Sequence, residues 1–170
     1  MTSGEVYVAF VDGVHIVRLV GDVRLNLCSA LERYLDDILK RPDFSHVMVD
    51  LSDATGVDST TLGQIAKIAI LAQERFGMRP TIVSPNPDIT RVLLSMGFDQ
   101  VFNLVQDPIA TDVEFQQWAA REVSEDQARE QVIEAHKVLM GLNQSNEHTF
   151  RELVDSLEAD RLAAHSHNKS

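Results

Sequence analysis

The sequence predicts an α/β protein in which a mixed β-sheet is covered by α-helices and is followed by a C-terminal α-helical hairpin. Two strand-like runs joined by a turn dipeptide begin the chain, which indicates an antiparallel start to the sheet. Short apolar runs then alternate with helical patterns, as in parallel strands joined by right-handed crossovers. From about residue 124 the pattern is helical alone. We therefore expect a sheet domain over residues 1–106 and an acidic helical extension over residues 107–170.

Five apolar runs have the length and composition of strands. The first two flank Asp12-Gly13, a dipeptide typical of a β-hairpin turn, and are expected to pair antiparallel. The third is apolar without alternation, which is typical of a strand buried on both faces of a parallel sheet. The predicted strands are residues 6–10, 15–20, 46–51, 80–84 and 101–105.

Three helices are predicted between these strands. Ser29 is placed to cap the first, which should end before Pro42 because proline disfavours helical backbone in the preceding residue. The second runs to about Phe76, and its apolar residues cover most of its circumference, so it must be largely buried. The third opens at Asn86, followed by proline, and ends at Gly97.

The extension begins its first helix with a capping box, since Ser124 is followed three residues later by Gln127. The apolar residues that follow have the spacing of a helix packed against another helix. A break over residues 141–145 precedes a second helix over about 146–164, which completes a hairpin over residues 124–164. The residues expected on the packing faces are Ala128, Val132, Ala135, Leu139 and Leu142, then Phe150, Leu153, Val154 and Leu157.

The role of this hairpin has two interpretations. Its apolar faces either pack on each other and on the sheet domain, or they offer a partner surface or a homodimer contact. Trp118 and Phe115, just before it, are expected to dock the extension on the sheet domain. The last residues, 165–170, are expected to be frayed.

Composition and hydropathy argue against two classes of function, nucleic-acid binding and membrane insertion. The net charge of −11 opposes the phosphate neutralisation that nucleic-acid binding requires, so DNA and RNA are excluded as partners. No stretch approaches the about 18 consecutive apolar residues of a membrane span, and the N-terminus lacks the pattern of an export signal. We expect a cytoplasmic protein. The lone Cys28 is expected to be a buried small hydrophobe.

Catalytic patterns are missing from the sequence. It has no G-x-S-x-G, no phosphate-binding glycine loop and no cysteine or histidine spacing for zinc, and its six histidines are scattered. We therefore expect no enzymatic activity, no metal site and no cofactor.

The second predicted helix starts with an excess of hydroxyls, in the stretch VDSTTLG at residues 57–63. One capping side chain suffices at a helix start, because the other free N–H groups can meet water. We assign the cap to Asp58, which leaves the hydroxyls of Ser59, Thr60 and Thr61 without a necessary role in starting the helix. Taken alone, such a stretch is also typical of an ordinary capped helix.

The order of elements, with VMVDLSDATGVDSTTLG in the middle and RVLLSMGFDQVFNLV at the end, resembles the STAS family over about residues 5–106. The resemblance implies a STAS-like mixed sheet covered by helices. The most specific part is the aspartate followed by two hydroxyls before Leu62-Gly63. In that family the second hydroxyl is phosphorylated by a partner kinase. By position, Asp58 is the motif aspartate and Thr60 the acceptor, with Ser59 in reserve. Thr61 stands where the family commonly has glycine.

Bacterial anti-anti-sigma factors are the best-known soluble members of that family. The resemblance implies that the unmodified protein binds an anti-sigma factor or a similar kinase-like regulator, and that phosphorylation at Thr60 breaks the complex. It also implies a serine/threonine kinase of the histidine-kinase-like ATPase type and a metal-dependent phosphatase as partners, to which ATP and metal belong. The alternative is an interaction module that is never phosphorylated and binds through the helical hairpin.

Overall fold

A computed structural model of the protein describes residues 4–41, 44–108, 113–119 and 122–167. It confirms the predicted fold class, a mixed sheet with helices packed on it and two further helices at the C-terminus. The strands are β1 Glu5–Val11, β2 Val14–Val23, β3 His46–Asp50, β4 Ala54–Val57, β5 Thr81–Val83, β6 Asn103–Val105 and β7 Gln116–Gln117. The helices are α1 Cys28–Leu39, α2 Ser59–Phe76, α3 Pro87–Ser95, α4 Glu125–Met140 and α5 Gln144–His167, with short 3-10 turns at Leu25–Leu27 and Phe98–Gln100.

The sheet has the strand order β6-β5-β3-β2-β1-β7, and β4 pairs with the far end of β2. β1 and β2 form the predicted antiparallel hairpin, whose turn places Asp12 and Gly13 at φ 51° and 83°. That conformation is the one an Asp-Gly hairpin turn favours. The pairs β2–β3, β3–β5 and β5–β6 are parallel, as the alternation of strands and helices predicted.

Two strands and one helix start differ from the sequence-based expectations. β4 and β7 were not predicted, because one is a four-residue strand that contains glycine and the other consists of two glutamines. The prediction that Ser29 caps α1 is wrong, and Ser29 is buried inside the helix. A 3-10 turn leads directly into α1, and the N–H groups of Leu27 and Cys28 donate to the carbonyls of Arg24 and Leu25. The N-cap position is Leu27, and no side chain caps this helix start.

The predicted hairpin is present, but its packing differs from a simple two-helix seam. α4 lies between α2 on one side and α5 on the other. Its buried residues therefore serve two neighbours, and Ala128 and Val132 of the expected seam are only partly buried. In α5, Phe150 and Val154 are buried as predicted, whereas Leu153 is 41% exposed. The buried residues of α4 are Gln131, Ile133, Ala135, His136 and Leu139.

The buried face of the hairpin packs on the sheet domain and shares its core, as in the first of the two interpretations of its role. Leu139 and Phe150 belong to the same cluster of buried side chains as the strand residues Val17, Val49 and Ile82. The Ser124–Gln127 capping box is confirmed. α5 continues to His167, beyond the predicted end near residue 164; residues 168–170 of the predicted frayed tail lie outside the described residues.

The segment that leads into the hairpin is also attached to the domain, as predicted for Trp118 and Phe115. The backbone N–H of Trp118 donates to the Val6 carbonyl beside β7, and the Trp118 ring lies 5.4 Å from that of Tyr34. The Arg18 guanidinium lies 4.0 Å above the Phe115 ring. Within the described ranges, no helix has the length and apolar character that a membrane span requires.

Candidate functional site

The start of α2 is held by one carboxylate. Asp58 Oδ1 accepts a hydrogen bond from the Thr61 N–H at 2.8 Å, and Asp58 Oδ2 accepts one from the Leu25 N–H at 3.0 Å. Asp58 is therefore the predicted cap of α2, and it also ties α2 to the turn before α1. Because this carboxylate performs the capping, the three hydroxyls that follow it are free for other contacts.

The three hydroxyls lie in three different environments, because successive residues of a helix are rotated by about 100°. Thr61 faces the interior. It is 1% exposed, and its Oγ1 lies 3.7 Å from Cys28 Sγ. Cys28 is fully buried, as predicted, and burial raises its pKa to about 11. Thr61 therefore fills the interior below the helix start and does not offer a second surface hydroxyl beside Thr60.

Ser59 faces α4 and is half-buried. Its Oγ lies 2.8 Å from His136 Nε2, while His136 Nδ1 lies 2.7 Å from the Val132 carbonyl oxygen. A carbonyl can only accept, so Nδ1 carries a proton and, in the neutral imidazole, Nε2 accepts from the Ser59 hydroxyl. The imidazole is 2% exposed, and its other side is covered by the Phe150 ring of α5 at 4.9 Å.

Thr60, the predicted acceptor, is buried, with 6% of its surface exposed. It lies on the same face of α2 as Gly63 and Lys67, which are three and seven residues further along. Both of those residues meet α4: Lys67 forms an ion pair with Glu134, and a Cβ on Gly63 would lie 2.6 Å from Ala135 Cβ and closer still to the Ala135 backbone. The absence of a side chain at Gly63 thus lets α4 lie directly on this face.

Sequence reasoning did not identify the α4 side of this contact. His136 and Ala135 occupy ordinary positions in an amphipathic helix, and neither forms a motif with residues near it in the sequence. Leu62, the remaining motif residue, is 2% exposed and contributes to the core. Of the motif residues 58–63, the structure therefore brings Ser59, Thr60 and Gly63 to the α4 side of α2.

An open groove adjoins the motif on its other side. It lies between β4 and α3, has a volume of about 240 Å³ and includes Leu62 in its lining. Val92 and Leu94 of α3 are 42% and 50% exposed. The remaining lining residues are Thr55, Gly56, Val57, Asp88, Ile89, Val92 and Leu93. This groove offers apolar surface next to the hydroxyl cluster without cover from α4.

Asp50 at the end of β3 has a structural role in this arrangement. It is fully buried, and its Oδ2 accepts from Arg18 Nε at 2.9 Å, while its Oδ1 accepts from the backbone N–H and the hydroxyl of Ser52. A buried carboxylate needs such partners to offset its lost hydration. Asp50 thereby fixes the turn that leads from β3 into β4 and on to the hydroxyl cluster.

The model of the STAS domain family matches residues 5–115, which include every strand except β7 and end before α4. The match spans more than half of the chain, so the protein belongs to the STAS domain family. The α4–α5 hairpin lies outside the matched region. No curated protein matches the sequence.

Solved structures agree with this fold assignment. TM1081 from Thermotoga maritima, described as a candidate anti-sigma factor antagonist, has a TM-score of 0.53 at 24% identity, over 59% of this chain and 85% of that protein. SpoIIAA, an anti-sigma factor antagonist solved in its unphosphorylated form, has a TM-score of 0.51 at 14% identity, over 63% of this chain and 90% of that protein. At these identities the likeness concerns the fold.

Proposed function

We propose that the protein is an anti-sigma factor antagonist that, when unmodified, binds an anti-sigma factor or a comparable kinase-like regulator. The observation that carries the proposal is the start of α2, where Asp58 performs the capping, so that the hydroxyls of Ser59 and Thr60 are not needed to start the helix. Membership of the STAS family and the description of its structural neighbours as anti-sigma factor antagonists support the same role. The protein acts by binding and not by catalysis, and it needs no cofactor of its own.

The partner surface in this proposal consists of the start of α2 and the neighbouring β4–α3 groove. The groove supplies the apolar centre that a protein interface needs, through Leu62, Ile89 and the exposed Val92. Ser59 and Thr60 belong to the same helix start as Leu62 but lie on the side of α2 that faces α4. A charge placed there would enter the region that the partner covers.

Phosphorylation at Thr60, with Ser59 in reserve, is the proposed switch. A phosphothreonine carries about −1.5 to −2 charges at pH 7, and the free N–H groups at a helix start tolerate such a charge. The same charge beside Asp58 would repel an acidic partner and would be costly to bury in a complex. A kinase of the histidine-kinase-like ATPase type would add the phosphate and a metal-dependent phosphatase would remove it, with ATP and metal bound to those partners.

Incubation with the cognate kinase followed by mass spectrometry tests the acceptor. The proposal expects one phosphate on Thr60, and its loss in Thr60→Ala. Thr61→Ala is the matched control, because that hydroxyl is 1% exposed and faces Cys28. Modification confined to Thr61 or to the C-terminal tail would overturn the assignment.

Titration calorimetry against the anti-sigma partner tests the switch. Thr60→Glu should weaken binding at least about tenfold, since a charge change at a buried interface typically costs about 2–5 kcal/mol. Thr60→Ala should retain binding and become insensitive to the kinase, because Asp58 still caps the helix. Circular dichroism of both variants excludes misfolding. Equal affinities for the two variants would refute phosphorylation switching.

The alternative function is a static interaction module that acts through the hairpin. Leu153 and Leu162 of α5 are 41% and 69% exposed and would favour such a contact, including a homodimer. Sedimentation equilibrium of the wild type and Leu162→Glu tests it. A dimer that the substitution dissociates would support this alternative, whereas a monomer in both cases would remove the homodimer.

A further inference from the structure

The α4–α5 hairpin occupies the face of α2 that the proposed function assigns to the kinase and the partner. Three contacts span the first three turns of α2: the Ser59–His136 hydrogen bond, the close approach of Ala135 to Gly63, and the Lys67–Glu134 ion pair. Thr60 lies among them and is 6% exposed. A kinase active site must surround an acceptor hydroxyl, so Thr60 cannot be phosphorylated while α4 is docked.

A phosphate on Thr60 would also prevent α4 from docking again. It adds three oxygens and up to two negative charges to a buried position. Lys67, the cation on this face of α2, is already paired with Glu134 of α4. In the undocked domain, by contrast, the phosphate would meet water and the free N–H groups of the α2 start. Docked α4 and phosphorylated Thr60 therefore exclude each other.

The hairpin is anchored at a second place, which makes its docking a stable feature of the fold. Asn146 is 3% exposed, and its Nδ2 donates to the carbonyls of Met96 and Leu139 at 2.8 and 2.9 Å. A buried amide with two backbone acceptors is costly to leave unpaired. The start of α5 is thus attached to the end of α3, while α4 itself packs against the start of α2.

From these contacts we infer that α4 is a built-in competitor for the hydroxyl face of α2, so that kinase and partner reach this face only after the hairpin undocks. The inference rests on the proposed function for the identity of the competing proteins, whereas the exclusion of a charge at Thr60 by docked α4 does not. The apparent affinity for a partner is its intrinsic affinity multiplied by the fraction of molecules that are undocked. The hairpin would therefore set the threshold of the switch.

Hydrogen–deuterium exchange of the full-length protein tests the exclusion without any partner. Thr60→Glu places a carboxylate under α4, and amides of Glu125–Met140 should exchange at least about tenfold faster than in the wild type. Thr60→Ser keeps a hydroxyl and is the matched control, with exchange within about twofold of the wild type. Amides of β3 should stay protected in both. Unchanged exchange in α4 of Thr60→Glu would overturn the inference.

A second variant alters only the hairpin and decides the matter if Thr60→Glu unfolds the whole domain. Ala135→Leu inserts a larger side chain where α4 meets the Gly63 backbone, so α4 should exchange faster while the α2 sequence is intact. Ala159→Leu, on an exposed position of α5, is the matched control and should leave exchange unchanged. Wild-type protection of α4 in Ala135→Leu would contradict the assigned contact.

The same pair separates this inference from the proposed function. With the kinase that modifies Thr60, Ala135→Leu should be phosphorylated at least about tenfold faster than the wild type and Ala159→Leu at the wild-type rate. Equal rates in all three proteins would show that the hairpin does not compete. If no protein is phosphorylated but α4 undocks in Thr60→Glu, the proposed function fails and the exclusion stands.

Discussion

The two helices that border the β4–α3 groove differ in what covers them. The start of α2 packs against α4 through Ser59 and Gly63, and Thr60 between them is 6% exposed, whereas α3 leaves Val92 and Leu94 open at 42% and 50%. Both helices begin after a strand and carry an Asx cap, Asp58 in one and Asn86 in the other. The comparison shows that one half of the proposed partner surface is occupied by the protein itself and the other half is accessible.

The caps of the two helices also differ in the number of chain segments that they join. Asp58 accepts from two chain segments, the Thr61 and Leu25 N–H groups, while the Asn86 side chain accepts from Asp88 N–H at 2.9 Å. The covered helix start is therefore tied to the turn before α1 as well as to α4. The open helix start depends on its own local cap.

The largest expected change in the free energy of unfolding comes from truncating a side chain through which α4 joins the core. Leu139 of α4 is fully buried in the shared core, and Leu139→Ala should lower the free energy of unfolding by about 2–5 kcal/mol. Leu94→Ala, on the open half, should change it by less than about 0.5 kcal/mol. Urea unfolding of both variants measures the difference. Similar values for the two would mean that the hairpin is not part of the core.

The caps give the next largest difference. Asp58→Ala removes a charged acceptor from two backbone N–H groups and should lower the free energy of unfolding by about 2–3 kcal/mol. Asn86→Ala removes one neutral cap and should lower it by about 1 kcal/mol. The same urea experiment applies, with Asp58→Asn as a control that keeps a capping oxygen. A smaller loss for Asp58→Ala than for Asn86→Ala would contradict the double role of Asp58.

The sequence predicts the caps much better than the covering helix. Asp12-Gly13, Asp58, Asn86 and the Ser124 capping box are local signals, since each depends on the residue type at a turn or helix start. They held because the interactions involve atoms a few residues apart. The prediction for Ser29 used the same kind of local signal and was wrong. The residue type of Ser29 favours a cap, but a 3-10 turn leads directly into α1, and its N-cap position is Leu27.

The contact of α4 with α2 was not predictable, because it depends on packing between distant segments. Gly63 fits the family motif, yet its contact with Ala135 follows only from the path of the chain between α2 and α4. The spacing in α4 indicated a helix with one partner, whereas the helix has two. His136 carries no motif, so its hydrogen bond to Ser59 could be found only in the structure.

A pH-dependent loss of stability tests the interior below the covered helix start. Burial raises the pKa of Cys28 from 9.0 to about 11, so the unfolded chain loses its thiol proton at lower pH than the folded protein. The contribution of the buried thiol to the free energy of unfolding is therefore present below pH 9 and is lost as pH rises from 9 to 11. Between pH 8 and pH 10 the loss should be about 1 kcal/mol.

Urea unfolding of the wild type and Cys28→Ala at pH 8 and pH 10 measures this contribution. The wild type should lose more stability over that interval than the variant. Tyr34, whose pKa burial raises to about 12, contributes mainly above pH 10 and is common to both proteins. Identical pH dependence in the two proteins would show that Cys28 is not shielded by Thr61 and the helix start.

A substitution in the open β4–α3 groove should weaken partner binding with almost no effect on the free energy of unfolding. Val92→Asp alters a side chain that is 42% exposed on α3, so the free energy of unfolding should change by less than about 0.5 kcal/mol. Affinity for the anti-sigma partner should fall at least about tenfold, because the carboxylate would be buried against the partner in the groove. Val105→Asp is the matched control, since Val105 is 40% exposed on the edge strand β6 and lines no part of the groove. Calorimetric titration of the two variants against one partner gives the comparison directly, and equal affinities would exclude the β4–α3 groove from the interface and confine binding to the face that α4 covers.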